Sequence, residues 1–216
     1  MRARPLAGMF AGVIAAAARM VSGVQVRWVD SEPDPRQAVY FANHSSHLDF
    51  VVLWSSLPAE VRAVTRPVAA QDYWNRGLRR AIAVNVFRAV LVARHVGKGE
   101  ALDASGDPRL AIEHMLEAMG DNQSLILFPE GTRGTGEEVA AFKSGLYYLC
   151  RHRPGSRLIP AYLHNLNRIL PKGEFLPVPF ISKLTFGPAM ALAAGEDKRA
   201  FLSRARDAVC RLKDLG

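Results

Sequence analysis

The residues best suited to chemistry in this 216-residue chain are His44 and Asp49, which are five positions apart. They follow the apolar run 38–41, which predicts a strand, and they lie against the apolar run 50–54, which predicts a buried helix. The point where a strand ends and a helix begins commonly holds ligands and catalytic groups in α/β proteins. A carboxylate that accepts from one imidazole nitrogen leaves the other as a base. The pair could therefore deprotonate a hydroxyl group.

Two other interpretations of this segment need no base. Asn43, Ser45 and Asp49 could simply cap and turn the chain, because short polar side chains bond readily to nearby backbone. A serine nucleophile is the second possibility, but Ser45 and Ser46 lack the Gly-x-Ser-x-Gly pattern of a nucleophile elbow. The residues alone leave the structural interpretation open.

A metal site is a further alternative. His44, His47 and Asp49 could ligate zinc, with His95 as a third nitrogen ligand. Their spacing does not match the helical His-x3-His pair of zinc hydrolases, and no further ligands are evident. We therefore expect no metal here.

A second polar corner follows the apolar run 124–128, which also predicts a strand. Arg133 offers a fork of donors that suits a phosphate group, and the Gly131 backbone can approach an oxyanion closely. Lys143 could add a second positive charge at the start of the next predicted helix, 139–152. An ordinary turn with a solvated arginine is the alternative.

The elements around these corners alternate between strand and helix patterns, which predicts an α/β fold with a central, mostly parallel sheet flanked by helices. Predicted strands cover 24–29, 38–41, 61–68, 84–93, 124–128, 157–163 and 183–186. Predicted helices cover 50–57, a basic segment through 76–80, and 107–119, 139–152 and 197–212.

Composition limits the partners without choosing among them. A net charge of +8 and a pI near 9.9 are compatible with nucleic acid, an anionic membrane or a phosphorylated substrate. The apolar segment 6–18 is too short for a membrane span. We expect a membrane-associating segment over 1–23, followed by one domain over 24–216. A signal sequence and an ordinary packed helix are the alternatives. Two cysteines and the basic surface favour the cytoplasmic face.

The chain resembles the glycerophospholipid acyltransferases, which acylate glycerol phosphate and lysophosphatidic acid. Asn43-His44-x4-Asp49 is similar to their His-x4-Asp motif, and the segment Phe-Pro-Glu-Gly-Thr-Arg at 128–133 matches their third motif. Residues 158–161 resemble the fourth motif, and 88–94 aligns with the second. The similarity covers roughly residues 36 to 190.

This resemblance implies an O-acyltransferase that moves a fatty acyl group to the hydroxyl of lysophosphatidic acid in phospholipid biosynthesis. It implies His44 as general base and Asp49 as the residue that orients it. The acyl thioester donor would be acyl-CoA or acyl-carrier protein, the membrane lipid would be the other partner, and neither cofactor nor nucleic acid is expected. The substrate-binding residues would be Arg94, Glu130, Gly131, Thr132, Arg133 and Lys143.

Other functions stay open at this stage. Arg88 stands where the family usually has glycine, so the acceptor could instead be glycerol 3-phosphate, another lysophospholipid or a lipid without phosphate. A basic, non-catalytic lipid-binding module is the alternative outside this class.

Overall fold

The computed structural model describes residues 4–70, 82–92, 108–169 and 181–215 of the chain. The strands are β1 (Gln25–Trp28), β2 (Ala38–Ala42), β3 (Thr65–Ala70), β4 (Val90–Val92), β5 (Ser124–Leu127), β6 (Arg157–His164) and β7 (Lys183–Phe186). The helices are α1 (Arg4–Ser22), α2 (Asp49–Ser56), α3 (Ala59–Ala63), α4 (Pro108–Met119), α5 (Gly145–His152), α6 (Leu166–Ile169) and α7 (Lys198–Lys213).

These strands form one sheet in the order β1-β7-β6-β2-β5-β3-β4. Strands β6, β2, β5, β3 and β4 are mutually parallel, whereas β7 is antiparallel to β6 and β1 is parallel to β7. Phe41 of β2 lies opposite Leu127 of β5 and Pro160 of β6, so these three strands end at the same edge of the sheet. The predicted α/β fold with a mostly parallel sheet is confirmed.

Helices cover both faces of this sheet, which is why β2 is buried along its whole length. Successive side chains of a strand point to opposite faces. Val39 and Phe41 pack with α4, α5 and α7, whereas Tyr40 and Ala42 pack with α1 and α2. The central strand is thus held rigidly between two apolar layers, and the residue after it, Asn43, starts from a fixed position.

Two predicted strands are shorter than expected. Residues 61–63 belong to helix α3, which starts directly after Pro58 and donates back from Arg62 N to the Pro58 carbonyl. Of the predicted strand 84–93, residues 84–85 are helical, and only Val90–Val92 form a strand among the described residues. Arg88 lies between them with a φ of 51°, a left-handed conformation that ends the helix.

The predicted helix 139–152 is wrong in its first half, because α5 begins only at Gly145. The backbone before it is tied to other groups. Ala140 N donates to the Glu130 side chain, and Lys143 N donates to the Pro129 carbonyl. These N–H groups are therefore unavailable for a helical ladder.

The predicted N-terminal apolar segment forms helix α1, which packs against α2 and buries Ala15 in the core. Its outer side exposes Met9, Val13 and Met20, which are 62%, 63% and 84% accessible to solvent. Within the described ranges, no helix is both long enough and apolar enough to cross a membrane. Contact of α1 with a membrane surface stays a prediction.

Candidate active site

The two polar corners meet because β2 and β5 are neighbours in the sheet. The Gly134 N–H donates to the His44 carbonyl at 2.8 Å, and the His44 N–H donates to Glu130 Oε1 at 2.6 Å. The second of these hydrogen bonds joins residues that are 86 positions apart in the chain. The structure thus brings the predicted first and second corners into one site.

His44 and Asp49 form a direct pair in this site, since His44 Nδ1 lies 2.8 Å from Asp49 Oδ2. The same oxygen accepts from Ser45 N at 2.6 Å and Ser46 N at 2.8 Å. A carboxylate is only an acceptor, so the imidazole proton is on Nδ1. The His44 Nε2 atom makes no hydrogen bond within the described ranges, and the side chain is 18% exposed. This arrangement can hold a neutral imidazole whose open nitrogen accepts a proton.

Asp49 is completely buried and lies in the first turn of α2. The partial positive charge of a helix N-terminus stabilises a carboxylate at this place. Its second oxygen, Oδ1, is buried without a hydrogen-bond partner among the described residues. The hydrogen bonds that stabilise the Asp49 carboxylate among the described residues therefore all go to Oδ2, the oxygen that faces the imidazole.

The plane of the imidazole is fixed by Phe128, whose ring stacks on it with centroids 4.4 Å apart and an interplanar angle of 22°. Asn43 fixes the backbone, because its side-chain amide exchanges two hydrogen bonds with Leu163 of β6, at 3.0 and 2.8 Å. The sequence reasoning assigned no role to Phe128. Its position directly after β5, at the start of the second corner, was the feature of the sequence that could have suggested such a role.

Glu130 is 4% exposed, and both of its carboxylate oxygens accept from backbone N–H groups. Oε1 accepts from His44 and Oε2 from Ala140, the latter at 2.8 Å. Burial raises the pKa of Glu130 above its usual value, although the two backbone hydrogen bonds and the nearby His44 oppose this shift. Its predicted contact with substrate stays a prediction.

Gly131 and Lys143 lie in contact at the second corner. Gly131 has a φ of 71°, and a Cβ atom there would lie 2.8 Å from Lys143 Cδ and 2.9 Å from its Nζ. Only glycine therefore allows the lysine side chain to cross this turn. Thr132 is exposed and Arg133 half-buried. Neither Arg133 nor Lys143 has a carboxylate partner in the part of the chain described, so their charges are available to an anion.

Two residues named in the sequence analysis, Arg94 and His95, lie outside the described residues. Among the residues that the structure does describe, no three of the histidine, cysteine, aspartate and glutamate side chains lie close enough together to hold a metal ion. The predicted absence of a metal stays a prediction.

Comparison with protein families gives a match to the Acyltransferase model over residues 23–164. The chain is 29% identical over 192 residues to a 1-acyl-sn-glycerol-3-phosphate acyltransferase of Limnanthes douglasii. That alignment covers 85% of this chain and 61% of the plant protein, so the chain spans about three fifths of that relative's length. It is also 26% identical over 153 residues to Taffazin of Dictyostelium discoideum, covering 67% of this chain and 50% of that protein.

Among solved structures, the fold is similar to the crystal structure of the 1-acyl-sn-glycerophosphate (LPA) acyltransferase PlsC from Thermotoga maritima. The TM-score is 0.72, and the match covers 100% of this chain and 83% of that chain. At 19% sequence identity, this similarity concerns the fold.

Proposed function

Because the chain belongs to the glycerophospholipid acyltransferase family, we propose that it transfers a fatty acyl group from an acyl thioester to the hydroxyl of lysophosphatidic acid. The observation that carries the proposal is the His44–Asp49 pair at 2.8 Å, beside the turn at Gly131, against which the Lys143 side chain lies. A base and an anion site next to one another suit an acceptor that carries both a hydroxyl and a phosphate group. The donor is acyl-CoA or acyl-carrier protein.

In this mechanism His44 Nε2 takes the proton of the acceptor hydroxyl as its oxygen attacks the thioester carbonyl carbon. Asp49 holds the Nδ1–H and stabilises the imidazolium that forms. The carbon–sulfur bond then breaks, and the leaving thiolate takes the proton back from His44 Nε2. The products are an ester and a free thiol, and the imidazole returns to its neutral form.

The acceptor phosphate binds to Lys143 and Arg133, with Arg94 as a third predicted cation. Hydrogen bonds between a charged donor and a phosphate are shorter and stronger than neutral ones. The glycine at 131 supports this role, since it lets Lys143 lie directly against the turn. Thr132 and Glu130 complete the predicted binding segment, and the Glu130 carboxylate also holds the backbone of His44 and Ala140. Binding both substrates at one place supplies much of the acceleration.

The reaction takes place at a membrane surface, where lysophosphatidic acid resides. The exposed apolar residues of α1 support this location, and the net charge of +8 favours anionic lipid on the cytoplasmic face. The substrate would then reach the site from the lipid phase.

The test is transfer of a labelled acyl group by the purified protein, with acyl-CoA and acyl-carrier protein as donors. Lysophosphatidic acid, glycerol 3-phosphate and other lysophospholipids are the acceptors. We expect transfer to lysophosphatidic acid, and a loss in kcat of about 10²- to 10⁴-fold in His44→Ala. His152→Ala, at an exposed position on α5, is the matched control. Preference for another acceptor would replace the proposed substrate, and an unchanged His44→Ala variant would remove the base.

A further inference from the structure

An irregular segment, residues 134–142, connects the second corner to α5, and we call it the strap. The carbonyl groups of Thr135, Glu137 and Val139 all accept hydrogen bonds from side chains of other elements, so every second carbonyl in this part of the strap is held. The donors are Asn167 Nδ2 at 2.9 Å, Lys213 Nζ at 2.7 Å and Arg206 Nε at 2.9 Å.

One of these contacts continues to the catalytic histidine. The carbonyl of Val139 and the N–H of Ala140 belong to the same peptide unit. Arg206 Nε donates to the oxygen of this peptide unit. The N–H of the same unit, which belongs to Ala140, donates to Glu130 Oε2 at 2.8 Å. The other oxygen of Glu130 accepts the backbone N–H of His44 at 2.6 Å. Three successive hydrogen bonds thus connect α7 to the catalytic corner.

The charge of Arg206 strengthens this chain of hydrogen bonds. A guanidinium group that donates to a carbonyl polarises the peptide unit and makes its N–H a better donor. Arginine carries its charge at every relevant pH. No carboxylate in the described parts of the chain lies within ion-pair distance of Arg206, so no ion pair there competes with its hydrogen bond to the Val139 carbonyl. The stronger N–H group in turn supports the buried carboxylate of Glu130.

We propose that Arg206 is a positioning residue for acyl transfer, because it holds the Val139–Ala140 peptide against Glu130 and thereby fixes the backbone of His44. The proposal rests on the function proposed above. Arg206 touches neither His44 nor Asp49, and it acts only through the strap. Its loss should therefore reduce the rate of the chemical step more than substrate binding.

Two substitutions separate the hydrogen bond from the volume of the side chain. Glutamine has a nitrogen donor at the same number of bonds from Cα as arginine Nε, and it carries no charge. Methionine has a methyl group at that position and cannot donate. Arg206→Gln therefore keeps the first hydrogen bond, whereas Arg206→Met removes it. Arg211, on the same helix, is exposed and makes no side-chain hydrogen bond or ion pair with the described residues, so Arg211→Gln and Arg211→Met are matched controls.

We expect kcat to fall by about 10- to 100-fold in Arg206→Met, as for a catalytic group moved by a fraction of an ångström to an ångström, with KM nearly unchanged. Arg206→Gln should retain more activity than Arg206→Met, and both Arg211 variants should behave like the wild type. Equal losses in the two Arg206 variants, or a loss that lies mainly in KM, would overturn the proposal.

Amide hydrogen exchange provides a readout that does not require activity. The amides of His44 and Ala140 should lose protection in Arg206→Met and keep most of it in Arg206→Gln, while amides of β6 stay protected in both. If the wild type transfers no acyl group to any acceptor, the proposed function fails, and the exchange pattern still tests the positioning role. Unchanged protection of both amides in Arg206→Met contradicts that role. If this variant does not fold, Arg206→Gln against wild type gives the same comparison, with a smaller expected loss of protection.

Discussion

Glu130 is buried, yet each of its carboxylate oxygens accepts an N–H group from a different part of the chain, one from His44 and one from Ala140. An ionised carboxylate suits this place because both oxygens can accept. Desolvation nevertheless makes its charge costly. Other charged or titratable groups facing it are His44 and Asp49 at the first corner and Tyr162 on β6. The side chain therefore joins the two motifs, whether or not it also contacts substrate.

Replacing Glu130 by glutamine tests this role at nearly constant shape. The amide keeps one acceptor, but its NH₂ group must face the second N–H donor, so one hydrogen bond becomes a repulsion. We expect kcat of Glu130→Gln to fall by about 10-fold or more. Steady-state kinetics measures this, with the exposed Glu138→Gln as control. Loss of activity in Glu138→Gln as well would point to a general effect of charge.

The same variant makes a prediction about pH. Because burial raises the pKa of Glu130 above its usual 4.5, the folded state binds this proton more tightly than the unfolded state does. The contribution of the protonated form to stability is complete below pH 4.5 and is lost as the pH rises through the raised pKa. In urea titrations at several pH values, wild type should lose stability relative to Glu130→Gln over that window. A difference that does not change with pH would contradict the raised pKa.

The pairing of His44 with Asp49 could be anticipated from residue types and spacing, because it needs only a turn that returns the chain within five residues. The catalytic roles proposed for the pair came from the family resemblance, and the contact of Lys143 with Gly131 was not predicted, since Lys143 was expected in a helix that begins only at Gly145. Arg206 and Ala140 could not be predicted. A hydrogen bond between a distant side chain and one backbone carbonyl leaves no local pattern, and Arg206 resembles every other basic residue of its amphipathic helix.

Helices and strands followed from sequence where the apolar pattern was clear. Helix α4 has apolar side chains at helical spacing, and β2 is a short, uninterrupted apolar run. The strap and the segment 84–89 mix apolar and polar residues without one clear pattern. The conformation of the strap depends on hydrogen bonds to distant groups, and that of 84–89 on one left-handed residue. The predicted family was right, since the Acyltransferase model matches residues 23–164.

Arg88, the left-handed residue before β4, should be a source of strain. A side chain at a φ of 51° costs about 1–2 kcal/mol relative to glycine. Its compensating contact is weak, because Arg88 Nη1 lies 3.4 Å from the Ala63 carbonyl at an exposed position. We therefore expect Arg88→Gly to raise the free energy of unfolding by about 0.5–1 kcal/mol. Denaturant unfolding measures it, and Ala89→Gly, at the neighbouring position without positive φ, should be destabilising. Equal effects at both positions would mean that φ is not the cause.

At the scale of the whole molecule, apolar exposure and positive charge occur together. Net charge is +8, and helix α1 exposes large apolar side chains on the face opposite its contact with α2 and the core. An anionic bilayer satisfies both features, because the apolar side chains enter the acyl region while basic residues contact the head groups. A second copy of this chain would cover the exposed apolar side chains, but the positive charges of the two copies would repel each other.

Serine substitutions at Met9, Val13 and Met20 together should therefore weaken binding to vesicles that contain phosphatidic acid. Three partly immersed side chains contribute about 1 kcal/mol each, which corresponds to a loss in affinity of about 100-fold. Vesicle co-sedimentation measures it, with Leu110→Ser, an exposed apolar residue of α4, as control. Acyl transfer to a short-chain acceptor below its micellar concentration should be unchanged, because α1 contributes no residue to the His44–Asp49 pair. Unchanged vesicle binding, together with a shift from dimer to monomer, would assign this face to a second copy of the chain.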